Sequence, residues 1–216
     1  MKRRDLLLAS TCAPLVLSTL VREAVARDTR TGLRGFRGEV TVNGAPARFG
    51  MSLQPGDTVR TAPGAEAVYV IGQDAFLQRG DSHVAFGSGA AANLMRVITG
   101  KLLSVFAKGD RRIATPAATI GIRGTGCYIE AGEDRTYFCL CYGEADIARN
   151  GDPSQREIVR TVHHDKPVWL RDAPGLDMMS AASVINHSDA ELILLEGLVG
   201  RQPPFVRAGW PPDSGY

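Results

Sequence analysis

Aromatic side chains are scarce, at 6% of the 216 residues, so the stacking platforms that hold single-stranded nucleic acid are not expected. Charge is nearly balanced, and a formal net charge of +2 gives no electrostatic footprint for a polyanion. No apolar run reaches the roughly 20 residues that a membrane-spanning helix needs. Signatures of nucleophilic catalysis are missing as well. Ser180 and Ser183 lie in no Gly-x-Ser-x-Gly setting, and the acidic residues are scattered rather than paired. Gly121-x-x-Gly124-x-Gly126 is followed by Cys127-Tyr128-Ile129-Glu130, a strand pattern, where a dinucleotide loop requires a helix. A local role is expected for these glycines, as points where chains approach closely in a sheet. An enzyme is therefore not expected. The one catalytic option left is thiol chemistry, with Cys139 or Cys141 close to His163 or His164.

What is present begins with an address. Met1-Lys2-Arg3-Arg4 is a positive lead, Leu6 to Val21 is apolar but interrupted, and Ala24-Val25-Ala26 is a small-x-small cleavage pattern. The Arg3-Arg4 pair resembles a twin-arginine export signal, and general secretion remains the alternative. Residues 1–26 are thus read as an export signal and the mature chain as periplasmic, in a Gram-negative-type envelope. Membrane association is expected only if the signal stays uncleaved. Cys12 falls inside this segment.

The remainder is punctuated by glycine (24) and proline (12), which suits many tight turns and not a helical bundle. After a polar lead-in over Arg27 to Leu33, strand-like runs begin at Gly38 and recur every 8–12 residues or so, the spacing of a sandwich, barrel or roll. Asn43-Gly44 marks a two-residue hairpin, with Ala45 to Phe49 returning. Pro55-Gly56-Asp57, Pro63-Gly64 and Gly72-Gln73-Asp74 mark further turns. Ala67 to Ile71 is nearly continuous apolar strand. From Asn93 to Phe106 the spacing is mixed, and Gly100 is expected to break it ahead of a strand at Lys101 to Phe106. Tyr137 to Tyr142, Glu144 to Ala148 with Glu157 to Val162, and a last strand at Lys166 to Leu170 complete the set. Ser188-x-x-Glu191 reads as a capping box opening a helix, whose Leu192, Leu195 and Leu198 stripe is expected to cover a sheet. An extended tail follows from Gln202, containing Phe205 and Trp210. The expected fold class is all-β, a β-roll or sandwich-like domain of short antiparallel strands with a C-terminal helix. Its expected divisions are 27–172 for the β domain and 173–216 for the helix and Pro-rich tail.

Three stretches together resemble the FecR-like periplasmic domain family: Gly38 to Gly44, Leu53-Gln54-Pro55-Gly56-Asp57-Thr58-Val59-Arg60-Thr61, and Ala114-Thr115-Pro116-Ala117-Ala118-Thr119-Ile120-Gly121-Ile122-Arg123-Gly124-Thr125. The resemblance covers about Gly35 to Ile147. The residues that carry it most specifically are Pro55, Gly56, Asp57, Thr115, Pro116, Gly121, Arg123, Gly124 and Thr125. It implies an envelope module that senses or scaffolds by protein–protein or ligand binding, in signal relay. In typical members of that family the periplasmic domain relays a signal from an outer-membrane iron–siderophore transducer to an inner-membrane-tethered sigma-factor regulator, and a cytoplasmic regulator segment lies ahead of a membrane helix. The export signal at Met1 leaves no room for that segment, so the expectation is a stand-alone secreted version with an envelope protein partner.

Cysteine is the sharpest chemical feature. With the signal removed, Cys127, Cys139 and Cys141 remain. A hairpin centred near Glu133-Asp134 would set Cys127 opposite Cys139 or Cys141 if like faces pair, and in an oxidising compartment a disulfide is the first expectation. The alternative is a small periplasmic metal-binding protein, with zinc or copper held by these thiols and a histidine from His163, His164 or His187. His163 and His164, as neighbours on a strand-like segment, should point to opposite faces, so that only one could join a cluster. His83 is read as an ordinary strand residue.

Overall fold

The computed structural model describes residues 31–209; the segment expected to be an export signal, with Cys12, and Trp210 lie outside them. Strands dominate. The first half contributes β1 (Gly32–Arg37), β2 (Val40–Val42), β3 (Ala45–Pro46), β4 (Thr58–Thr61), β5 (Glu66–Ile71), β6 (Asp74–Gln78) and β7 (Ser82–Phe86). The second half contributes β8 (Leu94–Val105), β9 (Asp110–Ala114), β10 (Ala118–Arg123), β11 (Gly126–Ala131), β12 (Thr136–Arg149), β13 (Arg156–Thr161), β14 (Val168–Leu170) and β15 (Met179–Ala181). Helices α1 (Asp189–Leu198) and α2 (Pro204–Arg207) follow the last strand among the described residues. No helix among the described residues is long and apolar enough to cross a membrane.

The strands make two sheets that share their longest members. One runs β1-β5-β6-β8-β11-β12-β14-β15; the other runs β3-β2-β4-β7-β8-β9-β10-β12-β13. All pairings are antiparallel except β8 with β9. The N-terminal half of β8 pairs with β7 in the second sheet, and its C-terminal half with β6 and β11 in the first. β12 crosses between sheets in the reverse sense. The crossings lie at Gly100 (φ +90°) and Gly143 (φ +102°), where only glycine bends the strand without a β-carbon clash. Gly100 therefore bends a continuous strand, where the sequence suggested a break. Asn43 and Gly44 both have positive φ, and Val42 pairs with Ala45, the two-residue hairpin expected there.

Side-chain alternation then builds two cores. Ala67, Tyr69, Phe76, Leu102, Ile129, Phe138 and Leu140 face inward from the first sheet and meet Val59, Val84, Val97, Ile113, Ile120 and Ile147 of the second. The alternate set on the first sheet, among them Val68, Val70, Leu77, Leu103, Tyr128, Tyr137, Cys139 and Cys141, packs under Leu192, Leu195 and Leu198 of α1 and Phe205 of α2. The first sheet is thus buried on both faces, which is why Ala67 to Ile71 is apolar throughout and does not alternate. The leucine stripe covers the sheet as expected, and the capping box forms: the Glu191 N–H donates to Ser188 Oγ while the Glu191 carboxylate accepts from the Ser188 N–H at 3.0 Å.

Four expectations need correction. The first strand starts before Gly38: β1 takes up the end of the polar lead-in at Gly32 and Leu33 and runs to Arg37 against β5, its arginines and glycines masking Leu33 and Phe36 in the sequence. The return strand after Asn43-Gly44 ends at Pro46, since proline has no N–H to continue a ladder. Leu170 does not end the sheet: β15 pairs with β14, so the sheet runs past the expected division at Asp172. The tail is not extended throughout, because Pro204 opens a helical turn that buries Phe205.

Candidate functional site

Cys139 and Cys141 lie two apart on β12 and share its outer face, beneath α1. Cys127 does not join them. In the β11–β12 hairpin Cys127 pairs with Leu140 and Tyr128 with Cys139, so Cys127 points into the inter-sheet core. The expected disulfide is overturned: none of the three thiols is bonded to another. Cys139 and Cys141 cannot bridge each other on one strand face either. Residues two apart rise about 6.5 Å, whereas a disulfide needs β-carbons about 3.5–4.5 Å apart.

The histidines come from two turns. After β13 ends at Thr161, the Asp165 carboxylate accepts the N–H groups of Val162 and His163, both at 3.1 Å, and His164 takes φ +50°. The His164 N–H donates to the Cys141 carbonyl at 3.1 Å. This segment is therefore a turn, and the strand rule that placed His163 and His164 on opposite faces does not apply. Both rings instead reach Asp189: His163 Nε2 lies 2.8 and 2.9 Å from its two oxygens, and His164 Nε2 lies 3.2 Å from one. Asp189 is the first residue of α1, fully buried, where the positive end of the helix dipole favours a carboxylate. His187 comes from the segment leading into the Ser188 cap. Its ring stacks on Tyr128 at 4.7 Å, and its Nδ1 lies 2.6 Å from the Ile185 carbonyl.

These turns bring Cys139, Cys141, His164 and His187 together, each offering a donor atom within 4.8 Å of the others. Cys139 Sγ is 3.5 Å from His164 Nδ1, which is 3.0 Å from His187 Nε2. The hydrogen bond from Cys141, with those from His164 and His187, holds the Cys139 thiol well below its usual range, against the opposing effect of burial. Burial pushes Cys141 and Cys127 upward. For His164, burial disfavours the imidazolium, but the bonds to Asp189 and Cys139 outweigh it and raise the pKa.

Cys139, His164 and Asp189 also line up as thiol, imidazole and carboxylate, the order of a nucleophile relay. Access is closed to it. Their exposures are 0%, 4% and 0%, and the ring nitrogen of His164 that a base would use is faced by His187.

The residues of the three strings lie elsewhere and build turns. Gln54 N–H donates to the Asp57 carboxylate at 2.7 Å, and Asn43 bridges Asp57 and the Thr58 N–H at 2.7 and 2.9 Å, so the first two strings are stitched to each other. Gly56 (φ +104°) follows Pro55 in that turn. Thr115 Oγ1 accepts the Ala118 N–H at 3.1 Å across Pro116. Arg123 makes an exposed ion pair with Asp110 at 3.0 Å, Gly124 turns the chain, and Thr125 is buried against the β12 bend. Gly121 sits on β10 in ordinary contacts. His83 lies on β7, pairing with Thr99. Asp189 escaped the sequence reading because a carboxylate following a helix cap is already accounted for by the helix dipole. The sign that could have exposed it is a histidine pair together with His187 immediately before the same cap.

No protein-family model matches the chain, and no curated protein matches it. Two crystal structures of a candidate anti-sigma factor from Parabacteroides distasonis ATCC 8503 are similar to it, at TM-scores of 0.47 and 0.46 and 8% identity. Each match covers 58% of this chain and 60% of that one, and a likeness of this size carries nothing about what this chain does.

Proposed function

We propose that this chain is an exported, non-catalytic module of a Gram-negative-type envelope that senses or scaffolds by binding a protein partner or ligand, in signal relay. The export-type leader and the FecR-like strings support this reading. One observation carries it: the thiol–imidazole–carboxylate arrangement among the described residues is sealed from solvent, so its chemistry suits holding and not turnover. The strings supply the turns of the scaffold, which leaves the outer face of the first sheet with its helix as the chemically distinctive region.

Fractionation and in-cell cross-linking test the proposal. The full chain should be recovered in the periplasmic fraction, shortened to begin at Arg27, with a cross-link to an envelope protein. Its thiols should resist alkylation until the protein is unfolded. Retention in the cytoplasm, or a monomer that forms no adduct, overturns it. So does a hydrolytic activity that disappears in Cys139→Ala.

A further inference from the structure

We propose that Cys139, Cys141, His164 and His187 form a tetrahedral site for one zinc ion, and that the ion clasps the C-terminal helix to the sheet. The inference deepens the binding reading by naming its ligand, and rests on that reading only for the site's role in the envelope.

Both imidazoles are held with one nitrogen outward and the other toward the thiols. A carbonyl can only accept, so His187 Nδ1 carries the proton that it gives to Ile185. His164 Nε2 faces the Asp189 carboxylate and carries one for the same reason. With those outer protons the inner nitrogens of both rings face each other 3.0 Å apart, and Cys139 Sγ lies 3.5 Å from His164 Nδ1. A proton shared between the rings or a metal ion held by both settles this contact, and the convergence of two thiols on the same point supplies the four donors that a metal ion takes and a proton does not. Holding the outer nitrogen on a carboxylate or carbonyl is also how proteins fix an imidazole for metal binding.

Distance and charge agree. With zinc about 2.0–2.1 Å from nitrogen and about 2.3 Å from sulfur, tetrahedral edges are about 3.3 Å between nitrogens and about 3.5 Å between nitrogen and sulfur. Two of the six observed edges are 3.0 and 3.5 Å, and all four donor atoms lie within 4.8 Å of one another. Two thiolates and two neutral imidazoles neutralise Zn²⁺, whereas Cu⁺ would leave a negative charge where a buried net charge is costly. The donors come from three separate places: β12, the turn after β13, and the residue before the α1 cap. An ion joining them ties α1 to the sheet, and metal binding then contributes to local folding.

Zinc and cobalt titration of the full mature chain, reduced and freed of metal by a chelator, tests this. About one ion per chain should bind, and Co²⁺ should give the intense visible bands of a tetrahedral site with a thiolate charge-transfer band. Cys139→Ser and His187→Gln should abolish both signals, and Cys127→Ser should keep them. Asp189→Asn should weaken zinc binding about 10–100-fold and leave the cobalt spectrum tetrahedral. Hydrogen exchange across residues 189–198 should slow when zinc is added to the wild-type chain, a readout independent of whether the variants fold well. Substoichiometric binding, a weak octahedral cobalt spectrum, tight binding by Cys139→Ser, uptake of Cu⁺ alone, or exchange indifferent to zinc each overturns the proposal. A chain that binds no zinc yet reaches the periplasm and cross-links a partner removes the site and leaves the binding module. Zinc binding by a chain kept in the cytoplasm does the reverse.

Discussion

A β-carbon added at Gly126 would meet the Tyr142 ring at 2.6 Å, and that ring cannot swing aside. Its hydroxyl donates to Glu196 at 2.5 Å, and Glu196 also accepts from Arg201 at 2.5 Å. Gly126→Ala should therefore cost about 1–3 kcal/mol, read as a lower urea midpoint at unchanged slope. Gly121, in the same string, would meet only Asp146, at 3.7 Å. Gly121→Ala should stay within about 0.5 kcal/mol of the wild type. Equal costs for the two variants would mean that the Tyr142 ring does yield to a β-carbon at Gly126. The string showed that some glycine here serves close approach. It could not show which, because the answer depends on a register shift between Gly126 and Cys127 that sets Tyr142 across from Gly126. The thiols follow the same pattern: their presence was legible, while their company depended on turns at His164 and Asn186 whose positive φ no periodicity announces.

Elements were legible where a local signal fixes them, and misread where pairing parity decides. The β11–β12 hairpin does centre on Glu133-Asp134, with Ala131 opposite Thr136. An even number of loop residues pairs odd-numbered with even-numbered positions, so Cys127 had to meet Leu140 and face away from Cys139. The assumption that like faces pair was the error, and it created the disulfide expectation. α1 was readable because cap and stripe are both local. Two variants should separate their contributions. Ser188→Ala removes a cap and should cost about 1 kcal/mol. Leu195→Ala empties a fully buried site between helix and sheet and should cost about 2–4 kcal/mol. Chemical denaturation should rank them in that order. A larger loss for Ser188→Ala would mean that α1 depends on its first turn more than on its apolar face.

At the scale of the whole molecule, a sheet buried on both faces takes tyrosines away from water on either side, and this gives the fold a pH limit. Tyr69 lies in the inter-sheet core and Tyr142 under the helices, and burial holds both phenols well above the ordinary 10.0. For Tyr142 the negative charge of Glu196 adds to the effect. A phenol is neutral when protonated, so a raised folded-state pKa means that the folded chain keeps a proton the unfolded chain would release. The resulting stability is complete below the unfolded value near 10.0 and is lost as pH climbs through the folded one. Stability should accordingly be flat through neutral pH with respect to these groups and fall steeply in alkali. Following phenolate absorbance and circular dichroism in one alkaline titration tests the layering directly. Ionisation of Tyr69 and Tyr142 should coincide with loss of the β signal, because neither ring can charge in place. Tyr69→Phe, which cannot ionise, should move that loss to higher pH despite giving up the 2.9 Å bond to Gln78. Phenolate appearing from both rings while the sheet signal persists would mean that water reaches them in the folded state, and the three-layer packing would then be wrong.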